Sequence, residues 1–472
     1  MATQGISIAI QLVSTITLAR LLSPADYGIM AMVMAVTSFA GLFRDLGLSS
    51  AAIQKKDLST GLQSNLFWLN IAMGTVLTAV VAAAAPLIAW FYHKPELVGI
   101  TLVLSLSFLI GSIGTQHGAR LVREMMFGKQ AIANIAGALV TLAVSLSLAS
   151  RGFSYWSLVY GNLTGSMVTS LLLVWLSPFN PGLPGRSAGM REVLSFGCNI
   201  TAFDVANYFS RNSDNLLIGR VWGDAALGMY SRAYQLMMFP INAIRGPINA
   251  VAFPAMSRLQ DDPQGIRDYY RKATNLLAWS SMPIAAFLWV SSHDVIAVVL
   301  GNEWQGVAPI FAWLAVVAFI QPSSGFLGSL LLSLGLGRRY LISGISNSIV
   351  VVLGFLIGVK WGAVGIACSY AICNYALIVP WYRMALSGTP VRMRDFFDAC
   401  AAPAMASAAA AGVAWMGMVR LEVASPLVRL FACGVMFACA FVLTAALIPR
   451  VKREVLLLLR GFMNEVMILM KS

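Results

Sequence analysis

Asp204, Asn207, Arg211, Asp214 and Asn215 stand inside one apolar run, 193–218, that is long enough to cross a membrane. Wound into a helix, the five share a sector of about 100°, while Ile200, Val205, Phe209, Leu216 and Ile218 take the other faces. A charged side chain at bilayer depth costs several kcal/mol and is normally found facing a protein interior or a wet cavity. Two readings follow: a water-filled chamber lined by this helix, or a buried Arg211–Asp214 pair at i, i+3 that pins one helix to another. The asparagines and Asp204 extend the stripe beyond what one ion pair needs, which favours the chamber.

The next span, 226–244, repeats the pattern. Its Arg232, Gln235 and Asn242 fall within about 80° of one another, beside Tyr230, and Pro240, Pro247 and Pro254 kink the helix and free carbonyls. Arg232 facing the chamber would suit a phosphate-bearing substrate; the alternative is that it pairs with Asp204 or Asp214 and only holds helices together. Arg245 lies near the inner end, where a long side chain can snorkel. Arg44 and Asp45 close the second span, and Gln116 and His117 close the fourth, where His117 reads as an interface residue. His293 and Asp294 read as a surface pair. Enzyme chemistry finds little support. There is no phosphate-binding G-x-x-x-x-G-K-[ST] motif, and Asp261-Asp262 reads as a helix cap. No Cys/His cluster has metal spacing, so neither a metal nor another cofactor is expected.

The elements that carry these residues are membrane helices. With 58% hydrophobic and 11% charged residues and a mean hydropathy of +0.77, the chain reads as an all-α integral membrane protein. About fourteen transmembrane helices are expected; the second, 29–43, is short for a span. The net charge of +13 could suggest nucleic acid, so its location decides. With the N-terminus inside, 22 of the 32 Lys and Arg fall in loops and tail on that side, and 7 on the other. That bias predicts both termini in the cytoplasm, and no nucleic-acid partner is needed to explain the charge. The six cysteines, 198, 368, 373, 400, 433 and 439, lie in or beside apolar spans and read as packing residues. The first 18 residues read as a span rather than a removed signal peptide.

Two internal echoes suggest a repeat. Laid at an offset of 200, Arg20 falls on Arg220 and Gly28 on Gly228; Gly128-Lys129 similarly resembles Gly337-Arg338. Each echo joins corresponding spans of two six-helix lobes, parallel repeats about an axis along the membrane normal. The expected division is an N-terminal lobe at 1–176, a Pro/Gly-rich linker at 177–190 and a C-terminal lobe at 191–384. An extra transmembrane pair follows at 395–449, then a cytoplasmic amphipathic tail at 450–472 on the membrane surface.

The stretches LARLLSPADYG, FRDLGLSSAAIQKKDLS, FGCNITAFDVANYFSRNSDNLLIGRVWGDAALGMYSRAYQL and VAFPAMSRLQDD together resemble the Wzx-type polysaccharide flippases. Those belong to the multidrug/oligosaccharidyl-lipid/polysaccharide exporter superfamily, and the similarity runs to about Tyr382. The resemblance implies a multi-pass bacterial inner-membrane transporter with two six-helix lobes around a cationic cavity. The implied substrate is an undecaprenyl-diphosphate-linked oligosaccharide, moved for lipopolysaccharide or exopolysaccharide assembly by ion-coupled alternating access. A polysaccharide polymerase and chain-length machinery are the implied protein partners. On that reading Arg211, Arg232 and Arg44 hold the substrate's anionic groups, and Asn207, Asn215 and Gln235 line the cavity. Asp204 and Asp214 are the ion-coupling candidates. Family members usually carry a basic segment before the first helix, whereas Met1 here stands almost at the membrane. Either the start lies upstream or the first span is poorly anchored. Two competing readings are a multidrug or small-molecule cation antiporter of the same superfamily and a lipid-modifying membrane enzyme. An aromatic, anionic chamber would have favoured the first, and the missing catalytic loop disfavours the second.

Overall fold

A computed structural model describes residues 2–49, 52, 59–185, 190–420 and 425–447, and among them all regular structure is helical. The chain forms two compact units, 1–231 and 232–472.

In the first unit, α1 (Ala2–Ala19) leads to Ser23, whose hydroxyl accepts from the backbone N–H of Asp26, at 3.3 Å, while the Asp26 carboxylate accepts from the Ser23 N–H at 2.8 Å. This reciprocal cap, with Pro24 in the first turn, starts α2 (Pro24–Asp45). The expected short span is therefore extended to 22 residues. Next come α3 (Thr60–Tyr92), α4 (Leu97–Arg123), α5 (Phe127–Ala149) and α6 (Trp156–Leu176). Small residues let neighbours approach to backbone distance. On the α5–α6 seam a Cβ at Gly137 would strike Thr169, one at Gly161 Ser145, and one at Gly165 Thr141.

The proline-rich segment after α6 is anchored on α3 rather than hanging free. Gly182 donates its N–H to Ser64 Oγ at 2.9 Å and accepts from Trp68 Nε1 at 2.8 Å, and the Asn65 side chain bonds both the N–H and the carbonyl of Gly185. Phe179 packs on the rings of Phe67 and His117, so His117 is the interface residue that the sequence suggests.

Helix α7 (Met190–Arg258) runs through both units and is broken at Gly223, whose φ of 81° and ψ of −170° are non-helical. The second unit continues with α8 (Pro263–Val290), capped by the Asp262 side chain on Gly265 N–H at 2.9 Å as expected. Then come α9 (Ser292–Val299), α10 (Val307–Ser333), α11 (Gly337–Gly358), α12 (Gly362–Leu386), α13 (Met393–Arg420) and α14 (Pro426–Leu447). Its α11–α12 seam is again glycine-based, with Gly354 against Cys373 and Gly358 against Ser369 and Gly365. The core gathers Tyr270, Tyr382 and Phe396, with the two tyrosine hydroxyls 3.3 Å apart. Arg267 grips Asp395 with two 2.8 Å bonds.

Among the described residues, ten helical segments are long and apolar enough to cross a membrane, with α11 and α12 counted as one. The chain is thus a multi-pass helical membrane protein, and the count of about fourteen rests beyond this on α1 and the two halves of α7. One expectation is corrected: Asp294 is buried, not a surface residue, because α9 tucks it beneath α14, with Arg429 Nε 3.6 Å away. The tail 450–472 lies outside the described residues.

Candidate functional site

The site in the first unit is built by the break at Gly223. Along a straight helix Asp214 and Tyr230 would be about 24 Å apart. Instead Tyr230 Oη donates to Asp214 Oδ2 at 2.8 Å, so the chain reverses at Gly223 and sets the two halves side by side. Gly219 takes part in the reversal: a Cβ there would lie 2.8 Å from the Tyr92 ring and 3.1 Å from Leu227.

Asp214 and Tyr230 are only 6% and 1% exposed. The second carboxylate oxygen accepts from the Asn215 backbone N–H at 2.8 Å. The Asn215 side-chain oxygen is buried and has no partner among the described residues. Nearby on the same half, Tyr208 donates to the carbonyl of Ala35 on α2 and packs on Phe39 at 5.4 Å. A buried carboxylate with one phenolic donor can exchange a proton or hold a small cation.

The rim of the reversal is tied to the rest of the unit. Lys94 Nζ reaches Asp224 at 2.9 Å and Glu96 at 3.7 Å, and the bond with Asp224 raises the lysine pKa above its ordinary value. Arg220 lies over the Phe91 ring at 5.7 Å, a cation–π contact. Ser154 donates to the Asp26 carboxylate that also caps α2.

Arg44 is half-buried at the end of α2 and lies flat on α4. A Cβ at Gly111 would be 2.5 Å from its Nη1, and its Nε is buried with no partner among the described residues. The second unit repeats this arrangement: Arg245 lies on Gly325 of α10, 3.2 Å from where a Cβ would stand. Arg232 and Gln235 are both half-buried in that unit. Asp204, Asn207 and Arg211 belong to α7, but their side chains lie outside the described residues, so the Arg211–Asp214 pair is not among the described contacts. Among the described residues no three His, Cys, Asp or Glu gather to hold a metal ion.

Sequence reasoning gave Tyr230 no role and passed over Tyr208 and Lys94. Tyr230 was discoverable in principle, because Asp214 and Tyr230 lie almost equally far from a turn at Gly223. For Arg245 the available signal was an in-helix glycine on another span.

The comparisons agree with this architecture. The chain is 28% identical over 334 residues to the lipopolysaccharide biosynthesis protein WzxC of Escherichia coli (strain K12), covering 70% of this chain and 67% of that one. It is 30% identical over 351 residues to the teichuronic acid biosynthesis protein TuaB of Bacillus subtilis (strain 168), covering 69% of each. Among solved structures it shares the fold of the lipid II flippase MurJ in an inward closed conformation. The TM-score is 0.78 at 12% identity, over 94% of this chain and 98% of that one. Residues 17–309 match the family described as "Polysaccharide biosynthesis protein", and with the TuaB likeness this establishes that the chain belongs to the polysaccharide biosynthesis protein family.

Proposed function

We propose that this protein is a flippase that carries a diphosphate-linked oligosaccharide on an undecaprenyl lipid across the bacterial inner membrane, for surface or exopolysaccharide assembly. The observation that carries this reading is Arg44, a half-buried guanidinium laid on the Gly111 backbone within a family that makes polysaccharides. Sugars and a diphosphate do not cross about 30 Å of hydrocarbon unaided, so the protein must supply polar and cationic groups along the way. Arg44, Arg211, Arg232 and the additional Arg245 are assigned to the substrate's anionic groups. Asn207, Asn215 and Gln235 contribute hydrogen bonds, and Asp214 with Tyr230, together with Asp204, couples an ion to transport. The matching Arg–Gly contacts and glycine seams of the two units support the six-helix repeat, and the basic asymmetry supports cytoplasmic termini.

Deleting the gene tests the reading in cells. Surface polysaccharide should stop while the lipid-linked repeat unit accumulates on the inner leaflet. Normal polysaccharide combined with heightened sensitivity to cationic drugs would transfer the case to the antiporter reading.

A further inference from the structure

From Trp304 to Arg394 the sequence contains no Asp or Glu, yet it carries Arg338, Arg339, Lys360, Arg383, Arg392 and Arg394. The fold gathers most of these at one end of the second unit. Arg339, in the first turn of α11, donates to the carbonyl of Ser387 just past α12, which joins the two helix ends. Arg338 and Arg383 flank that joint, are exposed and make no ion pair among the described residues. The neighbouring carboxylate, Asp395, is already engaged by Arg267.

Three further features suit an amphiphile with an acidic head. No side chain caps the first turn of α11, where the N–H groups of Gly337 and Arg338 precede the first backbone bond, from Arg339 N–H to the Leu336 carbonyl, at the positive end of the helix dipole. Trp381 carries a buried indole N–H with no partner among the described residues. One turn deeper, Leu341 and Ile342 on α11 and Val379 on α12 are 45%, 46% and 36% exposed, so the cations sit directly above hydrocarbon-facing side chains. An acidic protein would find charge here but would have to cover that apolar strip as well. A phospholipid matches both layers.

We propose that the joined ends of α11 and α12 bind an anionic phospholipid, with Arg338 and Arg383 on its phosphate and Leu341, Ile342 and Val379 along its chains. The site supplies from the bilayer the counter-charge that this part of the chain lacks. The basic asymmetry assigns this end to the cytoplasmic leaflet, where anionic headgroups attract juxtamembrane cations.

The test uses full-length purified protein in detergent, titrated with phosphatidylglycerol or phosphatidylcholine and read by thermal unfolding and native mass spectrometry. Phosphatidylglycerol should raise the unfolding midpoint and remain bound, and phosphatidylcholine should not. Arg338→Gln with Arg383→Gln should weaken phosphatidylglycerol binding by about fivefold per charge removed. Lys360→Gln, between the opposite ends of the same two helices, should leave binding unchanged. Equal responses to the two lipids, or an unaltered response in the double variant, would overturn the proposal. So would an equal shift from inorganic phosphate alone, which would mark a site for small anions instead of lipid.

Discussion

Gly28 and Gly228 lie against each other's chain: a Cβ on Gly28 would enter the carbonyl of Asp224, and one on Gly228 would enter the carbonyl of Pro24. These are the two glycines that the offset of 200 aligns in the sequence. The same short stretch, starting a helix just after a turn, occurs twice and crosses its own copy. Neither crossing partner can carry a side chain, because what faces each glycine is backbone and cannot rotate away.

Gly228→Ala should therefore destabilise the protein by about 1–3 kcal/mol, the usual range for overpacking a tight contact. Gly344→Ala, where nothing lies within 4 Å, should not destabilise it. Thermal unfolding of the two purified variants checks this. Equal midpoints would show that the crossing is looser than described.

Lys94 and Asp224 tie α3 to the same reversal. The pKa of Lys94 is raised in the folded protein, chiefly by the hydrogen bond with Asp224, so the pair's contribution is fully present below the ordinary lysine value of 10.5. It is lost as the pH rises through the higher folded value. Both side chains are partly exposed, which limits the effect to less than about 1 kcal/mol. Lys94→Gln should lower the unfolding midpoint slightly near about pH 8 and match the parent near about pH 12. A difference that stays constant across that range would assign the loss to packing.

The pattern of what could be read beforehand has a physical basis. The Asp262 cap is local, and so was legible from spacing alone. The Gly28/Gly228 echo was legible as a repeat, but not as a contact, because nothing in a linear alignment says that two copies touch. Asp214 and Tyr230 meet only through the reversal at Gly223, and the polar stripe around Asp214 pointed instead to Arg211 and Arg232. The anchoring of 177–185 was hidden because Ser64, Asn65 and Trp68 read as ordinary residues of an apolar span until the proline-rich segment is laid on them.

Gly111→Ala offers a way to move Arg44 without changing any charge. The added methyl would stand 2.5 Å from Nη1 and displace the guanidinium from α4. Polysaccharide export should fall about tenfold or more, as expected for misplacing a positioned binding group, with normal protein levels in the membrane. Gly41→Ala, where the nearest neighbour is the edge of Phe108 at 3.9 Å, should export normally. Full export by the Gly111 variant would remove Arg44 from the proposed path.

Tyr230→Phe and Asp214→Asn separate the two parts of the buried pair. The first removes the donor and leaves a buried carboxylate short of one bond, which costs about 1–3 kcal/mol. The second keeps a hydrogen-bond acceptor but removes the charge. If Asp214 carries the coupling ion, Asp214→Asn should abolish ion-driven export in a protein that still folds, and Tyr230→Phe should reduce it only in part. Equal, modest losses in both would make the pair structural.

The most direct measurement is translocation itself. Purified protein is reconstituted into vesicles with an undecaprenyl-diphosphate-linked oligosaccharide placed in the inner leaflet, and glycan exposure to an added glycosidase is followed over time. The account predicts exposure that rises with protein, responds to an imposed ion gradient and is largely lost in Arg44→Gln. Vesicles with folded protein whose glycan stays as protected as in protein-free vesicles would contradict it.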